Sequence, residues 1–101
     1  MNKDLEFENK VALDLVQAML GAISPNVRAV SYECIAQKVI VYFVFEHESI
    51  EDREEADDII FEFEALQQGP IDIEYYVSVS AELFQEGASY KGRPIYLRKE
   101  C

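Results

Sequence analysis

Residues 38–46, KVIVYFVFE, carry a β-branched or aromatic side chain at every position from 39 to 45. In a strand, successive side chains point to opposite faces, so Val39, Val41, Phe43 and Phe45 share one face while Ile40, Tyr42 and Val44 share the other. A strand that is apolar on both sides belongs in the middle of a sheet, covered on each face. Helices would cover one face; the other needs a second layer, a partner or an oligomer contact.

The segments on either side supply the neighbours. Residues 27–33, VRAVSYE, read as a second strand, and the link Cys34-Ile35-Ala36-Gln37 has hairpin length, which makes the two strands antiparallel. Upstream, residues 4–22 read as a helix. Val11, Leu15, Ala18 and Ala22 recur at helical spacing, and Ala12, Val16, Met19 and Ile23 repeat the pattern one position on, with Asp14 and Gln17 on the opposite side. Gly21 weakens its end and Ser24-Pro25-Asn26 stops it, because proline cannot continue the hydrogen-bond ladder.

Downstream, residues 49–68 read as a second helix. Ser49 is its N-cap, Asp52 three residues on completes a capping box with the shorter acid, and Gly69-Pro70 closes it. Ala56, Ile59, Ile60, Phe63 and Leu66 form its inward stripe. Residues 71–80, IDIEYYVSVS, alternate strictly, with Ile71, Ile73, Tyr75, Val77 and Val79 against Asp72, Glu74, Tyr76, Ser78 and Ser80. Turn signals at Gly87, Ser89 and Gly92 follow, and Pro94 opens a short edge strand, IYLR. The order is α-β-β-α-β-β. The second helix returns the chain between strands two and three, so these run parallel. The expectation is one α+β domain over residues 1–101, a mixed four-stranded sheet with two helices on one face.

Composition sets limits on function. Half of the 101 residues are hydrophobic, enough for one core, and the formal net charge is −11. That excess repels phosphate and anionic lipid, which argues against nucleic acid and membrane surfaces as partners. No apolar run approaches the ~20 residues of a membrane span, and no stretch reads as an export signal. A cytoplasmic protein with Cys34 and Cys101 as reduced thiols is the expectation.

Catalytic parts are scarce. His47 is the single histidine, with no nucleophile beside it in the sequence, and neither a glycine-rich phosphate loop nor a Cys-x-x-Cys is present. Asp57 and Asp58 are adjacent, about 100° apart on a helix, and do not converge on one ion. The sequence therefore points to no cofactor, no metal and no catalytic residue.

Charge placement says more. Residues 46–64 hold ten of the twenty acids against one fixed base, Arg53, so −9 of the −11 lies there. Glu51, Glu55, Asp58 and Glu62 fall in one wedge of the helical wheel, with Glu54 at its edge. A solvated face kept for solubility explains such a ridge, and so does a surface that meets a basic protein. Tyr76 shares its strand face with Asp72 and Glu74, and tyrosine beside carboxylates is a frequent interface composition. Arg28 departs from the acidic theme, as a salt-bridge partner in the sheet or a rim contact.

The stretch LGAISPNVRAVSYE, residues 20–33, resembles small immunity proteins of bacterial polymorphic-toxin systems, including the contact-dependent growth inhibition type. The acidic second helix, IDIEYYVSVS and the closing PIYLRKE, residues 94–100, continue the likeness. The resemblance implies a protein that binds a cognate toxin domain, often a nuclease, and carries no catalytic residues. Glu51, Glu54, Glu55, Asp58, Glu62, Asp72, Glu74 and Tyr76 are then the candidate partner-binding residues, the toxin being basic. The alternatives are a small acid-lined ligand-binding or enzymatic domain, and a structural homodimer joined through the sheet face left bare by helices.

Overall fold

The computed structural model describes residues 3–36, 38–79 and 92–98. In chain order they form α1 (Lys3–Met19), β1 (Val27–Ile35), β2 (Lys38–Phe45), α2 (Ile50–Ala65), β3 (Asp72–Val79) and β4 (Arg93–Leu97). Gly87, Ser89, Tyr90 and Cys101 lie outside the described residues.

The strands make one sheet in the order β3-β2-β1-β4. β1 pairs antiparallel with β2 and with β4, whereas β2 and β3 are parallel, as a helical crossover requires. The doubly apolar strand β2 is central, and Pro94 sits on the edge strand β4, where a missing N–H is tolerated. The β1–β2 loop is tighter than the sequence suggests, because the strands extend to Ile35 and from Lys38. Ala36 in that loop adopts φ 55°, the positive value that a two-residue hairpin demands.

Both helices cover one face. Val11, Leu15, Ala18 and Met19 of α1, and Ala56, Ile59 and Phe63 of α2, are buried with Val30 and Tyr32 of β1 and Val39, Val41, Phe43 and Phe45 of β2. Ile73, Tyr75 and Val77 extend this core along β3, and Tyr75 meets Phe43 edge-to-face at 5.8 Å. The opposite face carries Tyr42, paired in register with Ser31 of β1 and Tyr76 of β3.

Helix details depart from the periodicity. In α1, Val16 is 42% exposed rather than inward, and Asp14 is half-buried and accepts a hydrogen bond from Gln67 Nε2 at 3.1 Å. The second helix lies against that side, so the buried arc of α1 is displaced towards Asp14 and away from Val16. Helix α2 ends at Ala65 with Leu66 as C-cap, before Gly69-Pro70. Its N-cap is Ser49, whose Oγ accepts from the Asp52 amide at 3.1 Å. The reciprocal half of the capping box is replaced: Glu48 accepts from the Ser49 amide, and the Asp52 carboxylate faces Ser24 and Asn26.

Candidate partner-binding surface

The carboxylates of residues 46–64 divide into two groups according to their partners. Glu46 accepts from Arg98 Nη1 at 2.7 Å, and Glu48 from Arg53 Nη2 at 2.8 Å; these cations hold both carboxyls below the usual range. Asp57 accepts from the Tyr75 hydroxyl, an interaction that ties α2 to β3 and, with burial, pushes the phenol up to about 12. Asp52 accepts from Ser24 Oγ at 2.8 Å and Asn26 Nδ2 at 2.9 Å. Burial raises its pKa, but the hydrogen bonds from Asn26, Ser24 and Ser49 outweigh burial and leave it lowered. These acids are structural.

Glu51, Glu54, Glu55, Asp58, Glu62 and Glu64 form the second group. All six are exposed on α2, and among the described residues none has an ion-pair or side-chain hydrogen-bond partner. Asp58 and Glu62 form one wall of a cleft of about 320 Å³ between α2 and the end of α1. Its floor is Ala18 and Ile59, and its far rim is Gln17, Leu20 and Gly21. Glu54 lies on the other flank, beside Ile50, Arg53 and Tyr75.

Asp72, Glu74 and Tyr76 lie elsewhere. They occupy the face of β3 that points away from the helices, so the eight candidate residues do not form one continuous surface. Glu74 accepts from Lys38 Nζ at 2.7 Å and from the Tyr76 hydroxyl at 2.8 Å, and its pKa is lowered chiefly by the lysine. Tyr76 stacks on Tyr42, whose hydroxyl donates to Glu33 at 2.6 Å. This patch satisfies much of its own polarity.

Arg28 is 1% exposed and therefore not a rim contact; its carbonyl accepts from the Arg98 amide at 2.8 Å. His47 is exposed at the turn before α2. Cys34 is a free, half-buried thiol that burial and then Glu8 push up to about 11, which keeps it protonated and a poor nucleophile. No described helix is long and apolar enough to cross a membrane.

The family model described as MafI2 immunity protein matches residues 8–100, most of the chain. The chain belongs to the MafI2 immunity protein family. No curated protein matches it. Membership of the MafI2 family carries a toxin-neutralising role and a cognate toxin as partner, and suggests inhibition rather than catalysis. Periodicity marks the acids of α2 as a candidate surface for such a partner. Periodicity did not separate the paired acids from the unpaired ones, because the partners Ser24, Asn26, Tyr75 and Arg98 come from other elements. It also passed over the outward side chains Leu20, Ile50 and Phe61, which are 69%, 75% and 71% exposed. The signal for Phe61 was present, since an inward stripe through Ile59, Ile60 and Phe63 turns position 61 outward.

Proposed function

We propose that the protein neutralises a basic nuclease toxin in the cytoplasm by docking the acidic outer surface of α2 onto it. The observation that carries this reading is the unpaired state of Glu51, Glu54, Glu55, Asp58 and Glu62, in contrast to Glu46, Glu48, Asp52 and Asp57, which all have partners. Like charges at i,i+3 and i,i+4 destabilise a helix by a few tenths of a kcal/mol per pair, so the ridge works against the stability of the fold. A nuclease surface that receives phosphates is basic, and such a ridge steers association with it and competes for the same cations. Asp72, Glu74 and Tyr76 would join the contact where the toxin wraps around the edge strand β3.

Co-expression with the toxin encoded beside this chain tests the reading. The native protein protects cells, and a variant with Glu51, Glu55, Asp58 and Glu62 changed to lysine folds but does not protect. Full protection by the folded variant would refute the acidic-surface mechanism.

A second reading rests on Tyr76, an aromatic 55% exposed on the sheet face opposite α1 and α2. It supports a homodimer through that face, which sedimentation at rising concentration would reveal.

A further inference from the structure

Exposed apolar side chains concentrate on the helical layer. Leu13, Val16 and Leu20 line the outside of α1 and its following turn, and Ile50 and Phe61 stand on the outer pole of α2. Single exposed apolar residues are ordinary on a protein surface, so position and company decide their meaning. Ile50 and Phe61 are eleven residues apart on the same side of α2, about 16 Å along its axis, with Glu54 and Asp58 between them. Leu20 faces Asp58 and Glu62 across the cleft. The unpaired carboxylates are thus bracketed by Leu20 on one side and Phe61 on the other.

Folding does not account for this arrangement. Ala56, Ile59 and Phe63 already bury the inner face of α2, so a phenylalanine that stays 71% exposed adds little burial to the core. An aromatic ring ringed by carboxylates is the composition of an interface anchor: the ring supplies desolvated contact and the charges supply orientation. Charge complementarity names the occupant. A surface of this sign accepts a basic protein, and its apolar members require a depression among that protein's lysines and arginines.

Taking the toxin-binding reading above as its basis, we infer that Phe61, with Leu20 across the α1–α2 cleft, is the apolar anchor of the complex and sets its lifetime. The carboxylates set the rate of encounter, and the cleft at Asp58 and Glu62 receives a cationic side chain whose aliphatic stem lies on Ala18 and Ile59.

Rapid-mixing kinetics with the toxin domain encoded beside this chain test the division of roles. Phe61→Ala should raise the dissociation rate at least tenfold and leave the association rate and its salt dependence unchanged, with a smaller rise for Leu20→Ala. Phe61→Gln, which keeps helix propensity, should repeat the effect. Leu97→Ala, an exposed apolar residue on β4, should change neither rate. Unchanged dissociation for the Phe61 and Leu20 variants overturns the anchor; if lysine at positions 58 and 62 still slows association, the acidic-surface reading stands. Binding indifferent to all of these variants removes both.

Discussion

The ring of Tyr76 stacks on that of Tyr42, centroids 6.0 Å apart and planes 23° from parallel, on the sheet face opposite the helices. The pair spans the β2–β3 junction on that face. Cross-strand aromatic pairs of this kind contribute up to about 1 kcal/mol. Tyr76→Ala should therefore lower unfolding free energy by about 1 kcal/mol in urea titrations. Its effect should add to that of changes at Glu51 or Glu62, since the two groups share no partner.

Tyr42 and Tyr75 give the fold an alkaline limit. Hydrogen bonds to Glu33 and Asp57 respectively, with burial, push both phenols up to about 12. A raised folded-state pKa stabilises fully below the unfolded value of about 10, and the contribution is lost as pH rises through about 12. Phenolate absorbance at rising pH should show late-titrating tyrosines, and Tyr42→Phe should remove one of them.

Asn26 joins two turns that are distant in sequence. Its side chain accepts from the His47 amide at 2.9 Å and donates to the His47 carbonyl at 2.8 Å and to Asp52 at 2.9 Å. At about 1 kcal/mol net per hydrogen bond, and less where solvent reaches them, Asn26→Ala should cost about 2 kcal/mol. Because the Asp52 pKa is lowered on folding, the part that passes through its carboxylate is present above the unfolded value near 3.9 and lost as pH falls below it. The stability gap between native protein and the Asn26→Ala variant should therefore narrow at low pH, leaving the share held by the His47 backbone.

Three positive-φ residues separate strain from crowding. Gly21 (φ 79°) has open space where a Cβ would stand, so Gly21→Ala should cost about 1 kcal/mol of backbone strain alone. At Gly92 (φ 75°), a Cβ would sit 2.4 Å from the Tyr32 carbonyl oxygen, which forces β4 off β1. Gly92→Ala should cost at least twice as much. Ala36 (φ 55°) is the reverse case, and Ala36→Gly should leave stability equal or higher by up to ~1 kcal/mol. Thermal melting of the three variants ranks them.

The element order was readable because β2 is apolar on both faces and β3 alternates, so each strand announces its surroundings. The faces of α1 were less readable: apolar residues nearly encircle it, and packing against α2 alone decides that Asp14 turns inward and Val16 outward. The candidate surface was legible as a charge excess within residues 46–64. Which acids are committed to the fold depends on Ser24, Asn26, Tyr75 and Arg98, residues brought there by tertiary structure. The same limit explains why Asp72, Glu74 and Tyr76 were grouped with α2, since a sequence does not state on which side of the sheet the helix lies.

Removing charge at Glu51, Glu55, Asp58 and Glu62 by substitution with glutamine tests the central claim. Relief of repulsion along α2 should raise unfolding free energy at low salt by a few tenths of a kcal/mol per pair. The decisive measurement is the association rate with the toxin domain as a function of ionic strength. A surface that docks a basic partner predicts at least a tenfold slower association at low salt and a flattened salt dependence for the glutamine variant. An association rate and salt dependence equal to those of the native protein would contradict it.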